Sequence, residues 1–173
     1  MSYLFRKSLL ILLLSSLFLG CGYSLSKRPS YFKAEWKTVY IPPWKNFSSE
    51  TGLGYLIAEK LRLKLAEGNL LVPVYNKKEA DLILKGKVIK VCISPSVYAT
   101  ITETKERKVS FWGEFELIEK KTGKIIFKKK IQRFETYRVP STSSIIVDPG
   151  KEEAVRLLTD DIADMVLEAI IFK

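Results

Sequence analysis

The chain has no histidine and only two cysteines among its 173 residues. Without histidine it lacks the side chain used most often in acid–base catalysis and a frequent ligand of zinc. Cys21 and Cys92 alone cannot form a metal-binding cysteine cluster or a disulfide framework. No apolar run approaches the about 20 residues that a membrane-spanning helix needs. The sequence therefore argues against a histidine-dependent enzyme, a zinc protein and a protein embedded mainly in the membrane.

The first twenty residues are typical of a secretory signal peptide. Arg6 and Lys7 precede an apolar run over residues 9–19 (LLILLLSSLFL), which is too short to span a bilayer comfortably. The run ends at Gly20 and Cys21, and a small residue before a cysteine is typical of bacterial lipoprotein signals. We expect cleavage before Cys21, a diacylglycerol on its thiol and an acylated amine. Plain secretion with an incidental cysteine is the alternative.

This interpretation divides the chain and gives its compartment. Residues 1–20 form the signal peptide, residues 21–35 a lipidated tether, and residues 36–173 a single domain. Gly22 follows the lipidated cysteine, where an inner-membrane lipoprotein commonly carries aspartate. We therefore expect the protein on the periplasmic side of the outer membrane, where nucleic acid is not a plausible partner. Cys92 then has no partner cysteine and is predicted to be a buried, inert thiol.

Positive charge is concentrated in the body of the domain. The whole chain carries 29 Lys and Arg against 19 Asp and Glu. Residues 103–138 alone hold 11 basic and 6 acidic side chains, whereas residues 148–173 hold 3 and 7. A basic protein of the envelope suggests an anionic partner, such as lipopolysaccharide, anionic lipid or an acidic protein surface. An ordinary solvated surface is the alternative for any single lysine.

The first half of the chain predicts two short strands around a helix, followed by a long strand. Residues 38–41 and 70–75 read as strands, and Pro73 favours an edge position for the second. Residues 44–49 are predicted to form a loop. The apolar stripe of the helix comprises Leu53, Leu56, Ile57, Leu61 and Leu65, with Gly68 as a left-handed stop.

The second half predicts a long sheet and a closing helix. In the strand over residues 82–93 the apolar alternation slips by one residue near Val88, which indicates a bulge, and Ser94-Pro95-Ser96 indicates a break. Residues 107–118 and 125–138 form a hairpin. The last helix starts at Asp148-Pro149, and its apolar stripe comprises Ala154, Leu157, Leu158, Ile162, Met165 and Ala169. The predicted fold class is α+β, with two helices on one face of a four- to five-stranded mixed sheet.

No pattern in the chain supports catalysis. Ser141, Ser143 and Ser144 lie in one loop without a lysine placed beside them. The helical spacing of Asp160, Asp161 and Asp164 favours a solvated acidic face over a carboxylate pair. Gly52-Leu53-Gly54 precedes a helix but lacks the further glycine and lysine of a phosphate-binding loop. We therefore predict a binding or assembly protein with no catalytic residue, no cofactor and no metal.

Two stretches carry a family resemblance. Residues 38–68 (TVYIPPWKNFSSETGLGYLIAEKLRLKLAEG), behind Cys21-Gly22-Tyr23, and residues 80–86 (ADLILKG) resemble the lipopolysaccharide-assembly lipoproteins of the LptE family. The resemblance continues through the following loop, the hairpin and the last helix. It implies two helices against a four-stranded sheet. It also implies a protein that plugs the outer-membrane barrel LptD, binds lipopolysaccharide and assists its delivery to the outer leaflet.

The resemblance also implies a binding site. In the family, basic residues near the loop between the two long strands are implicated in lipopolysaccharide contact, and Lys105, Arg107 and Lys108 match the end of that loop. A second basic position, before the last helix, has only Arg138 beside it, because the loop over residues 139–147 is uncharged. The predicted lipopolysaccharide-binding residues are therefore Lys105, Arg107, Lys108 and Arg138.

Other side chains have two interpretations. The run Lys128-Lys129-Lys130 can contact phosphate or can protect a strand edge from aggregation. Tyr98, Trp112 and Tyr137 can face a barrel wall or pack within the domain.

Another envelope machine is the rival function. The strand–loop–helix also resembles CsgG-like and LpoB-like lipoproteins, which build a curli pore or activate a peptidoglycan synthase. The charged hairpin lacks a continuous lipid-facing band, which disfavours a pore.

Overall fold

The computed structural model describes residues 28–98, 104–139 and 149–172. Within them the chain forms helices α1 (Leu53–Gly68) and α2 (Pro149–Ile171) and a short 3-10 helix (Lys77–Glu79). The strands are β1 (Thr38–Tyr40), β2 (Lys45–Asn46), β3 (Val72–Val74), β4 (Leu82–Tyr98), β5 (Thr104–Glu119) and β6 (Ile125–Arg138). Two helices and a mixed sheet confirm the predicted α+β class. Cys21, Ser141, Ser143, Ser144 and Asp148 lie outside the described residues.

The strands form one sheet in the order β3-β1-β4-β5-β6, and β2 pairs beside β1 on the same edge of β4. Strand β1 pairs in parallel with both β3 and β4, and β2 pairs in parallel with β4. Strands β4, β5 and β6 form an antiparallel ladder. The edge position of β3, with Pro73 inside it, confirms the prediction. The prediction of a simple loop over residues 44–49 is wrong, because Lys45 and Asn46 pair with Lys87 and Val88 of β4.

The predicted bulge in β4 is confirmed. The register between β4 and β5 shifts between Val88 and Lys90, which leaves Ile89 as the extra residue. The predicted break after Ile93 is wrong, because β4 continues through Pro95 to Tyr98. A second register shift, between Pro95 and Val97, absorbs the proline, as expected for a proline within a sheet.

Each helix packs its apolar stripe against the sheet and against the other helix. In α1 the buried stripe includes Leu53, Ile57, Leu61 and Leu65, but the predicted member Leu56 is 48% exposed. In α2, Leu157 is likewise exposed, and the buried positions include Ala163 and Val166. Neither helix in the described part of the chain is long and apolar enough to cross a membrane.

Ion pairs fix the helices side by side and parallel. Lys60 pairs with Asp160 at 2.9 Å, and Lys64, one turn later, pairs with Asp164 at 2.6 Å. Because the numbering advances by four on both helices, they run in the same direction. Asp161 pairs with Arg133 of β6 at 3.1 Å. The predicted solvated acidic face is therefore largely an ion-paired seam, although each exposed pair adds little stability.

Trp44 is closely packed in the core. Its side chain is buried and stacks on Phe115, with ring centroids 6.5 Å apart. A Cβ added to Gly86 would overlap the indole, and one added to Gly54 would overlap the Trp44 carbonyl oxygen. The glycine at the start of α1 therefore serves the close approach of two backbones, which explains Gly54 without a phosphate ligand.

We predict that Gly54→Ala destabilises the fold by about 1 to 3 kcal/mol, because the new methyl group overlaps a backbone atom that cannot move freely. Urea denaturation measures the loss. Gly68→Ala is the matched control, since no atom lies within 4 Å of its Cβ position. The predicted left-handed stop at Gly68 is wrong: Asn69 takes that role with a φ of 51°. An equal loss in both variants would contradict the packing argument.

The residues before β1 are anchored on the sheet by a buried carboxylate. Glu119, at the end of β5, is 5% exposed and accepts hydrogen bonds from Lys33, Trp36 and Thr122. Phe32 and Trp36 belong to the main core. The segment over residues 28–36 is therefore packed on the domain, which includes part of the segment expected to be a tether.

We predict that acid weakens this attachment. The hydrogen bond from Lys33, followed by those from Thr122 and Trp36, lowers the pKa of Glu119 from 4.5 to about 2. A carboxylate with a lowered folded-state pKa stabilises the fold above its unfolded pKa, and that contribution is lost as the pH falls from about 4.5 towards 2. Urea midpoints measured between neutral pH and about pH 3 should fall less steeply in Glu119→Gln than in the unaltered protein. Glu35→Gln, which removes an exposed carboxylate nearby, should keep the original slope.

Candidate functional site

The sheet has two unlike faces, because the side chains of a strand alternate. Val88, Phe111, Phe115 and Ile131 are buried on the face that both helices cover. On the opposite face the cross-strand register aligns six lysines, which we call the lysine face: Lys85, Lys87, Lys90, Lys108, Lys128 and Lys130.

Carboxylates neutralise only part of the lysine face. Glu114 pairs with Lys87 at 3.0 Å and with Lys128 at 3.4 Å, and Lys128 also pairs with Glu116 at 2.6 Å. The hydrogen bond from Lys87 and the nearby charge of Lys128 hold the pKa of Glu114 below its ordinary value, so this carboxylate stays ionised at neutral pH. Among the described residues, no carboxylate pairs with the other four lysines: Lys85, Lys90, Lys108 and Lys130.

Two of these lysines lie over aromatic rings. The Lys90 ammonium is 5.6 Å from the Trp112 ring centroid, and the Lys108 ammonium is 5.4 Å from that of Phe134. Phe134 is 60% exposed. Flat rings beside ammonium groups suit a phosphorylated sugar, since rings contact sugar faces and lysine binds phosphate as a point charge.

The structure divides the predicted binding residues between two faces. Lys108 belongs to the lysine face, as does Arg138, whose guanidinium is 3.8 Å from Glu106. Arg107 pairs across the sheet with Tyr137 and lies on the helix-covered face. Lys105 lies in β5, and its side chain is outside the described residues. The four residues are therefore close along the strands but do not form one surface.

The remaining candidates are also divided. Lys128 and Lys130 lie on the lysine face, whereas Lys129 between them points to the opposite one. All three lie on β6, which is an edge strand, so charge at this position also fits edge protection. Tyr137 is 8% exposed and belongs to the core, whereas Trp112 lies on the lysine face. The side chain of Tyr98 is outside the described residues.

Sequence reasoning missed Lys90 as a site residue. The alternation within β5 assigns Trp112 to the outer face, but only the cross-strand register places Lys90 beside it. The bulge at Ile89 reverses the alternation just before Lys90, so the face of this lysine depends on the exact position of the bulge. The same reversal leaves the free thiol of Cys92 only half-buried, so the predicted full burial is wrong. In the described ranges, no three His, Cys, Asp or Glu side chains group in a way that could hold a metal ion.

Several solved structures share the fold. The chain superposes on uncharacterized lipoprotein B from Nitrosomonas europaea with a TM-score of 0.57 and 11% identity, covering 87% of this chain and 91% of that one. A dodecameric point variant of PelC from Paraburkholderia phytofirmans gives 0.53 and 15%, covering 84% and 95%. A minor lipoprotein from Acinetobacter baumannii gives 0.52 and 13%, covering 78% and 91%. At these identities the likeness shows the fold alone.

No curated protein matches the sequence. The family described as "LptE: Lipopolysaccharide-assembly" matches residues 36–170, which include every helix and strand of the described domain up to the last turn of α2. The match confirms the resemblance seen in the sequence. The chain therefore belongs to the LptE family of lipopolysaccharide-assembly proteins.

Proposed function

We propose that the protein is an outer-membrane lipoprotein, anchored through Cys21 on the periplasmic side, that plugs an LptD-type barrel and binds lipopolysaccharide during its transport. The lysine face carries the binding part of this proposal. Its four lysines without carboxylate partners among the described residues lie on a sheet face that neither helix covers, inside a domain of the lipopolysaccharide-assembly family. The role is one of binding and assembly rather than catalysis.

The chemistry of the lysine face fits the headgroup of lipopolysaccharide. Lipid A and the inner core present phosphates on sugar rings, so a complementary surface needs cations beside flat apolar groups. Lys90 with Trp112, and Lys108 with Phe134, supply this combination at two places on the face. Because such contacts are exposed, they should weaken as salt rises.

We predict that Lys90→Glu with Lys108→Glu weakens binding of water-soluble, deacylated lipopolysaccharide by about ten-fold, or about 0.7 kcal/mol for each lysine. Binding is followed by tryptophan emission at low salt. Trp36 and Trp44 are buried, whereas Trp112 is partly exposed, so a Trp112→Phe variant shows whether the signal comes from the lysine face.

The matched control reverses Lys121 and Lys124, two exposed lysines in the β5–β6 turn. It changes the net charge equally and should leave the affinity unchanged. A third variant, Lys105→Glu with Arg107→Glu, measures the contribution of the start of β5. If the control weakens binding equally, the effect comes from the net charge of the protein and not from the lysine face. If the first variant binds as tightly as the unaltered protein, the lysine face is not part of the binding site.

The barrel partnership has its own test. We expect a C-terminally tagged chain, extracted gently from its outer membrane, to retain an integral β-barrel protein that mass spectrometry identifies as LptD-type. A lone monomer would count against the plug. Retention of a peptidoglycan synthase or of a secretion pore would instead support the rival envelope machines.

A further inference from the structure

The residues before β1 enter the domain at one end, which we call the basal end. There the Tyr31 hydroxyl donates to the carbonyl oxygen of Ile170 near the end of α2, and Trp36 donates to Glu119 at the end of β5. β1 and β4 both start beside this point, since the Asp81 carboxylate accepts from the backbone amides of Lys37 and Thr38. The basal end is therefore where the segment from Cys21 joins the folded domain.

Lysines crowd the basal end. The 3-10 helix joins the β5–β6 turn there through a hydrogen bond from the Lys120 ammonium to the Lys78 carbonyl oxygen. The Thr38 hydroxyl holds the same helix by donating to the Glu79 carbonyl oxygen. Together these segments place seven lysines on one surface: Lys33, Lys37, Lys77, Lys78, Lys120, Lys121 and Lys124.

The carboxylates at this end largely serve the fold. Glu119 is buried and receives Lys33, Trp36 and Thr122. Partial burial acts to raise the pKa of Asp81, but the hydrogen bonds that its carboxylate accepts from the backbone amides of Lys37 and Thr38 together outweigh it and lower the pKa. In the described segments of this end, the exposed carboxylates among the lysines are Glu35 and Glu79. The surface therefore carries a clear excess of positive charge.

Apolar side chains lie close to this charge. Ile125, directly after Lys124, is 49% exposed, and Phe172, at the end of α2, is 77% exposed. Exposed lysines with a few large apolar groups are typical of protein surfaces that rest in the headgroup region of a bilayer.

We infer that the basal end docks on an anionic bilayer surface, namely the leaflet that holds the Cys21 anchor. The inference rests on the lipidation included in the proposed function. Cys21 lies only seven positions before Arg28, and a chain of that length spans at most about 25 Å when extended. The anchor therefore keeps the basal lysines near the headgroups. One lipid signal combined with a polybasic patch gives more stable attachment than either alone.

Docking in this way leaves the lysine face free. The long strands of the ladder lead away from the basal end, so their faces stand beside the contact surface rather than on it. Lys85, Lys90 and Lys130 thus act as internal references for the basal lysines. Both groups are exposed, and they differ in their expected distance from the bilayer.

The experiment is amine footprinting of the full lipoprotein in vesicles of phosphatidylcholine, with or without phosphatidylglycerol. A membrane-impermeant acylating reagent labels lysines, and mass spectrometry measures each rate. Attraction to an anionic bilayer surface is worth about 1 kcal/mol for each nearby lysine, which corresponds to about five-fold stronger partitioning to the membrane. We expect Lys77, Lys78, Lys121 and Lys124 to be labelled several-fold more slowly in the anionic vesicles. The three reference lysines should be labelled equally in both, and high salt should remove the difference.

A variant with Lys77, Lys78, Lys121 and Lys124 changed to Gln should abolish the protection of Lys37 and Lys120, the remaining basal lysines besides Lys33, which is ion-paired with Glu119. The matched control changes Lys45, Lys85, Lys90 and Lys130 to Gln and should keep that protection. Circular dichroism confirms that both variants are folded.

Equal labelling of the basal lysines in the two vesicle types would overturn the inference, and so would equal slowing of basal and reference lysines. Protection that appears only when an acidic protein partner is added would replace the bilayer with that partner. The mass of the N-terminal peptide tests the anchor separately. If Cys21 is unmodified, the proposed anchor fails. The docking inference is then tested separately, by adding the chain to preformed vesicles and measuring the lysine labelling rates again.

Discussion

The bulge at Ile89 is the constraint on which both faces of the sheet depend. Strict alternation from the buried Val88 would place Lys90 in the core and Val91 outside. The extra residue reverses this assignment, so Val91 pairs with buried Phe111 and Lys90 pairs with Trp112 on the open face. Burying an unpaired ammonium is far more costly than interrupting one ladder hydrogen bond. The bulge thus allows β4 to contribute to the core and to the lysine face on both sides of Ile89.

Packing on one side of the sheet explains why charge can accumulate on the other. The parallel helices, the Trp44 indole and the aromatic residues before β1 fill a single core, so stability does not require the lysine face to be covered. Among the described residues, Glu114 and Glu116 neutralise only two of its six lysines, Lys87 and Lys128. The other four lysines of this face keep their charge for a partner. Because these four lysines contribute no ion pair to the described fold, and two of them lie over aromatic rings, their position favours binding over folding as their role.

Much of the fold could be predicted from the sequence. The features that could not be predicted share one cause, since each depends on pairing or packing with residues distant in the chain. Local signals predicted α1, the edge strand at Pro73 and the presence of a bulge, because each depends on residues close in the chain. The two-residue strand at Lys45 forms only because Val88 of β4 is available to pair with its neighbour. Two leucines, Leu56 and Leu157, match a helical stripe, but packing buries the neighbouring side of each helix. By contrast, the separation of Arg107 and Lys108 onto opposite faces follows from the alternation of one strand, so the sequence alone is sufficient to predict it.

The lysine face and the basal end are two distinct cationic surfaces, one on the strands and one on the turns at the end of the sheet. The lysine face holds lysines beside rings, which favours a ligand of defined shape, whereas the basal lysines lie on turns and a 3-10 helix, which suits a diffuse anionic surface. Glu119 connects the two, because it fastens the incoming chain to β5, the strand that carries Trp112 and Lys108. If the basal end docks as inferred, that contact also orients the long strands of the sheet relative to the bilayer. With the basal end on the periplasmic leaflet, as inferred above, the long strands would lead away from the bilayer, and the lysine face would stand beside the contact surface, open to a phosphorylated ligand from the side.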